Sequence, residues 1–215
     1  MGVKIMKIKK VALIGAVALA SLSLAACSSS NSSSSSASSK IAKKASSADP
    51  EKRISQNKEF RTKFDKIKIG DLSQKGQGGS TVTQLKSLLG SPNSSSSTKT
   101  SGMKTKSFTW MKDSSTITVV TIDDNAVSKL ITGFKFASRP EKLTLKAFDS
   151  VKDGSSYDSV VSKFGEPDGL NESLIMGSKH VTATWLTGVK GDSDANAEFD
   201  FTNNKLTTKT QTSLK

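Results

Sequence analysis

Gly79-Ser-Thr-Val-Thr-Gln-Leu-Lys-Ser-Leu-Leu-Gly-Ser-Pro-Asn93 is the stretch on which the fold turns, because Gly154-Ser-Ser-Tyr-Asp-Ser-Val-Val-Ser-Lys-Phe-Gly-Glu-Pro-Asp168 reads as its second copy. Gly79 pairs with Gly154, Gly90 with Gly165 and Pro92 with Pro167, and the same offset carries Gly102 onto Gly177 and Trp110 onto Trp185. Five landmarks at one spacing read as a tandem duplication. In each copy a hydroxyl residue caps a helix: Ser80 or Thr81 in the first, Ser155 or Ser156 in the second. Val82, Leu85, Leu88 and Leu89 make one buried stripe, and Tyr157, Val160, Val161 and Phe164 make the other. Glycine and then proline stop both helices.

Upstream of each copy the spacing predicts a further helix. Asp49-Pro50-Glu51 is a helix start, and Ile54, Phe60, Phe64 and Ile67 recur at helical spacing over about 50–67. Leu143, Leu145, Phe148 and Val151 do the same after Arg139-Pro140. Downstream of each proline, Thr, Val, Ile and aromatic residues alternate between turn residues. That texture predicts strands near 94–100, 104–111, 116–123 and 126–137, then 170–176, 179–187, 196–202 and 205–212. Trp185 to Asn204 is four residues longer than Trp110 to Asn125, which places an insertion in the Leu186–Asn196 hairpin. The expected fold class is α+β: two tandem modules, each a helix pair packed on a roughly four-stranded antiparallel sheet, over 49–138 and 139–215. Phe108 with Trp110, Val181 with Ala183 and Trp185, and Phe199 with Phe201 share faces by alternation and are assigned to the core; binding anchors are the alternative for the two tryptophans.

The N-terminus supplies an address. Lys4, Lys7, Lys9 and Lys10 precede an apolar run, Val11 to Leu24, too short to span a bilayer comfortably. The run closes on Leu24-Ala25-Ala26-Cys27, which resembles the bacterial lipobox. The resemblance implies a signal peptide over 1–26, cleavage before Cys27, a diacylglyceryl group on its thiol, and an amine open to acylation. An ordinary signal peptide with an incidental cysteine is the alternative. Cys27 is the chain's one cysteine, so no disulfide can form within it. Residues 27–48, nearly pure serine over Ser28–Ser39, read as a flexible tether. The expected location is extracytoplasmic, lipid-anchored to the cell membrane.

The chain has 32 Lys+Arg against 19 Asp+Glu, a formal net charge of +13. Ten of the cations lie in 40–68, from Lys40 to Lys68. A basic segment beside a lipid anchor is drawn to anionic headgroups or wall polymer at about 1 kcal/mol per charge; a solvated helix face is the equal alternative. Nucleic acid is a poor candidate as a partner, because an exported chain rarely meets it.

The repeated Gly-Ser…Gly-x-Pro-[Asn/Asp] motif followed by an aromatic strand ending in Trp resembles the β-lactamase-inhibitor-protein-like fold. It is similar in particular to small exported lipoproteins of Gram-positive bacteria with two such modules, and a single module is similar to the small outer-membrane lipoprotein of the β-barrel assembly machinery. The resemblance covers about 60–212 and implies a concave sheet surface that grips another protein. The inhibitor's gripping residues are not recognisable here, and its module disulfides have no counterpart.

Chemistry has few candidates. His180 is the single histidine, without a second His or a Cys to complete a metal cluster or nucleophile pair. Asp192-Ser-Asp194-Ala-Asn196 begins like a calcium loop, but Ala197 replaces the required glycine and Asn203 the closing glutamate. Lys75-Gly-Gln-Gly-Gly79 lacks the Lys-Ser/Thr ending of a phosphate loop and reads as a connector. No catalytic residue, metal or cofactor is expected. Two functions remain: a non-catalytic module that binds an envelope or secreted protein, and a structural envelope protein that binds anionic wall polymer or lipid through 40–68. For the first, strand alternation nominates Lys106, Thr109 and Met111 with Thr182, Thr184 and Leu186 as contacts.

Overall fold

The structure, a computed structural model, describes residues 50–100, 103–134, 136 and 139–215. The leader, Cys27, the serine tether and the Ser101-Gly102 turn fall outside them. Four α-helices form: α1 (Pro50–Asp65), α2 (Val82–Leu89), α3 (Leu145–Asp149) and α4 (Tyr157–Phe164), with a short 3-10 turn at Leu72–Gln74. Eight strands form: β1 (Ser94–Thr100), β2 (Met103–Lys112), β3 (Ser115–Ile122), β4 (Asn125–Thr132), β5 (Gly169–Ile175), β6 (Ser178–Trp185), β7 (Gly191–Thr202) and β8 (Lys205–Leu214).

The expected pair of four-stranded modules, each under its own helix pair, is not what forms. All eight strands make one antiparallel sheet in the order β1 to β8. The helices are few and mostly short, α3 having only five residues. The physical reason lies at β4 and β5. Two separate sheets would leave both strands as open edges with unpaired backbone groups. Instead they pair antiparallel, Ser128 with Ser173, Lys129 with Glu172, Leu130 with Asn171 and Ile131 with Leu170. The side chains suit the join: Ile131 and Leu170 are buried as an apolar pair, and Lys129 meets Glu172 as opposite charges.

The helices lie on one face of the sheet. Thr81 closes a capping box on α2, its hydroxyl accepting from Gln84 N at 3.3 Å while Gln84 Oε1 accepts from Thr81 N at 2.9 Å. Ser156 caps α4 by accepting from Ser159 N at 3.2 Å. Beneath them the alternation assigns the core: Phe108, Trp110, Val181, Ala183, Trp185, Phe199 and Phe201 are all buried. Phe199 packs against Phe148 of α3 at 5.3 Å, Phe164 of α4 at 6.0 Å and Trp185 at 5.3 Å. Each such fully buried ring contributes about 2–3 kcal/mol of transfer free energy. The four extra residues of the second half lengthen β7 to twelve residues, with a register break between Gly191 and Asn196.

At the β4–β5 junction, Lys129 is 4% exposed. Its Nζ donates to Phe64 O of α1 at 3.2 Å, lies 4.5 Å from the Phe64 ring centre and sits 3.5 Å from Glu172 Oε1. Burial pushes its ammonium pKa down, and the Glu172 charge pulls it back up. Lys179 holds the other Glu172 oxygen at 2.7 Å. The same face is stitched elsewhere by Asp71, whose carboxylate accepts from Ser73 and from the Met176 and Gly177 amides of the β5–β6 turn; the Ser73 hydroxyl leads in holding its pKa below 3.8.

Lys129→Met leaves Glu172 buried with one cation and is expected to cost about 3 kcal/mol. Lys129→Met with Glu172→Met is expected to cost less than that single change. Urea denaturation of the three proteins checks the order.

Candidate functional site

Among the described residues, the face opposite the helices carries no helix. Cross-strand register builds one row through all eight strands: Ser94, Thr109, Thr118, Leu130, Asn171, Thr182, Asp200 and Thr208. A parallel row holds Ser96, Ser107, Val120, Ser128, Ser173, His180, Thr202 and Lys205. Toward the other end lie Met111, Thr116 and Thr132 in the first half, and Thr184, Glu198 and Thr210 in the second. The face is therefore mainly hydroxyl and amide, and its inner positions are half-buried. Met103, Met111, Ile175 and Leu186 add exposed apolar side chains to it by strand alternation, Met111 at 59% and Leu186 at 43% exposure.

Its charge is as distinctive as its composition. Of the strand lysines, Lys99, Lys104, Lys106, Lys112, Lys129, Lys179 and Lys209 all have helix-side parity, and Lys205 alone belongs to the open face. Contacts bear this out: Lys112 reaches Glu59 of α1, and Lys209 donates to the carbonyls of Phe148, Asp149 and Val151. In a chain of net charge +13 the open face from β1 to β7 has no Lys or Arg. Glu198 and Asp200 lie on it, braced by Thr184 at 3.3 Å and Thr182 at 2.6 Å. Neither carboxylate has a cationic partner among the described residues.

The nominated residues divide accordingly. Thr109 and Thr182 share the central row, with Thr184, Met111 and Leu186 beside it. Lys106 does not join them. It is two residues from Phe108 in an unbroken strand and so takes Phe108's side of the sheet, opposite buried Thr121. His180 is on the open face, 3.3 Å from the Thr202 hydroxyl. Asp192 and Asp194 are exposed in β7, with Asp192 paired to Lys215. Asn171, Glu198 and Asp200 were not nominated, although Glu198 and Asp200 are marked in the sequence by alternating with Phe199 and Phe201.

One device holds the ends of this face in both halves. Gly90 at φ 87° and Gly165 at φ 85° turn the chain out of α2 and α4, a conformation that favours glycine. Their carbonyls accept from the indoles of Trp110 at 2.9 Å and Trp185 at 3.1 Å. Three residues on, Asn93 Oδ1 accepts from Met111 N at 2.7 Å and Asp168 Oδ2 accepts from Leu186 N at 2.7 Å. The exposed Met111 and Leu186 are thus fixed at the backbone by equivalent bonds. Asp168 does more than Asn93. It is fully buried, also accepts from Thr187 N and Oγ1, and pairs with Arg139 at 2.8 Å. Arg61 of α1 reaches the same corner through Glu166 at 3.2 Å and the Pro167 carbonyl at 3.4 Å.

Comparison with known proteins places this architecture. The family described as a domain of unknown function with a solved structure, DUF3862, matches residues 56–214. The chain belongs to DUF3862. That match takes in α2, α3, α4, all eight strands and hence the whole open face. A crystal structure from Streptococcus mutans, described as a "putative beta-lactamase inhibitor protein", is similar to this DUF3862 chain with 34% identity and a TM-score of 0.64. The similarity covers 74% of this chain and 99% of that one. No curated protein matches.

Asp168→Ala strands Arg139 at a buried corner and is expected to cost about 3–5 kcal/mol. Asn93→Ala, at an exposed site with one such bond, is expected to cost about 1 kcal/mol. Thermal unfolding of both variants tests the difference; equal losses would contradict the division of labour between the two corners.

Proposed function

We propose that this chain is a non-catalytic protein-binding module that uses the open face of its sheet, held outside the cytoplasm by a lipid on Cys27. The single observation that carries the reading is the open face itself. It is a hydroxyl-rich surface, uncovered across eight strands by any described helix and free of Lys and Arg from β1 to β7, with Met111 and Leu186 exposed at one end. Eight strands at about 4.8 Å spacing give a width of about 34 Å. Over about 20 Å of strand length that is on the order of 700 Å², near the ~800 Å² per partner of a standard protein interface.

The chemistry suits a protein partner. Threonine and serine on a rigid sheet offer donors and acceptors with little side-chain entropy to lose. Exposed Met and Leu supply apolar contact, and such patches mark interaction surfaces. The similar structure from Streptococcus mutans is described as an inhibitor, which supports binding to another protein rather than turnover. Lipid anchoring rests on the leader and Leu24-Ala25-Ala26-Cys27.

The test is capture from envelope and medium at high salt, with Thr109→Arg/Thr182→Arg and the α4 surface change Ser159→Arg as paired baits. Loss of a salt-resistant protein partner with the open-face pair and retention with Ser159→Arg is the expected result. Equal retention by both would remove the open face from the interface. In the same cells Cys27→Ala is expected to abolish labelled-palmitate incorporation; unchanged labelling would refute the anchor.

A further inference from the structure

Most strand lysines on the helix side have partners. Lys112 has Glu59, Lys129 and Lys179 share Glu172, and Lys209 donates to three carbonyls. Three do not. Lys99, Lys104 and Lys106 lie together on the β1–β2 hairpin, at the edge of the sheet, and none of them makes an ion pair among the described residues. Lys99 stands directly opposite Lys104 in the register. Their Cβ atoms are therefore about 5 Å apart, and like charges so placed destabilise a strand pair. Lys106 follows on the same side, about 6.6 Å along β2. Ser97 faces Lys106 and brings a hydroxyl to the same side. β1 itself, Ser-Ser-Ser-Ser-Thr-Lys-Thr, has no apolar side chain to offset the repulsion.

We infer that the helix-side surface of the β1–β2 hairpin is a binding site for a linear phosphate polyanion. Lys104 and Lys106, in line along one strand, meet successive phosphates of an extended chain, while Lys99 and the Ser97 hydroxyl close on it from β1. Binding replaces the ammonium–ammonium repulsion with charge-assisted hydrogen bonds. A flat lipid surface fits less well, because the exposed apolar residues of this hairpin, Met103 and Met111, have the parity of the opposite face. The site lies on the side of the sheet opposite the open face, so the chain could hold a protein and a polyanion at once.

The test uses the full chain, long-chain inorganic polyphosphate as the probe, and titrations at several salt concentrations. Lys99→Gln/Lys104→Gln/Lys106→Gln is expected to lower affinity about tenfold or more and to reduce the salt-dependence slope by about 2, three contacts at about 0.7 each. Lys142→Gln/Lys146→Gln/Lys152→Gln, exposed lysines elsewhere, removes the same charge and is expected to change both far less. The hairpin triple should melt no lower than the parent, since a like-charge pair is relieved. If it does melt lower, Lys99→Gln alone at the exposed edge serves as the second variant and must still weaken binding. Equal losses in the two triples would reduce the effect to net charge and overturn the site. So would loss of binding to phosphatidylglycerol vesicles with polyphosphate binding unchanged.

Discussion

The pairing of β4 with β5 is the interaction on which the rest of the structure depends. Four residue pairs, Ser128 to Ile131 against Ser173 to Leu170, turn what would be two small sheets into one. An isolated four-stranded sheet has two edges and a narrow face, while the joined sheet hides two of four edges and doubles the width of both faces. The join is also where charge is buried: Lys129 and Glu172 sit under α1, tied to Phe64, and Lys179 closes the group. A buried ion pair is weak evidence of stability but a good specifier of register. Here it matches one residue of β4 with one of β5, and a slip of β5 by one residue would carry Glu172 to the opposite face and part it from Lys129.

A sheet this wide, covered on one side, sorts its residues. Aromatic and aliphatic groups go under the helices, and seven of the eight strand lysines take that side too; Lys112, Lys129, Lys179 and Lys209 find carboxylates or carbonyls there, while Lys99, Lys104 and Lys106 make no ion pair among the described residues. The open face is left mainly with threonine, serine and asparagine, the carboxylates of Glu198 and Asp200, and a few apolar side chains such as Leu130 and Met111. A very basic chain thus presents a sheet face free of Lys and Arg from β1 to β7, with Lys205 of β8 at its edge, while the other strand lysines lie on the helix side.

Much of this is legible in the sequence, because helix caps, glycine–proline stops and strand alternation are local signals. Thr81 and Ser156 cap where the pattern places them, and Trp110 and Trp185 are buried as their alternation with Phe108 and Ala183 implies. What could not be read was non-local. Nothing in Ser128–Ile131 or Gly169–Ser173 says that these edges meet, so local pattern alone yields two sheets where the chain forms one. The roles of Arg61, Arg139 and Asp71 depend on partners as many as 106 residues away, and charge alone does not reveal them. Lys106 takes the helix side, as its even number, shared with Phe108 and Trp110, already indicates. Glu198 and Asp200 are equally readable, since they alternate with the buried Phe199 and Phe201.

The most direct measurement is native-state amide hydrogen exchange resolved at Leu130, Ile131, Leu170 and Asn171. One continuous sheet makes β4 and β5 interior strands, so the inter-strand amides at this junction should be protected as strongly as those between β2 and β3 or β6 and β7. Exchange at the junction as fast as at the outer edge of β1, with β2–β3 and β6–β7 still protected, would mean that the halves form separate sheets. The wide open face would then not exist as a single surface.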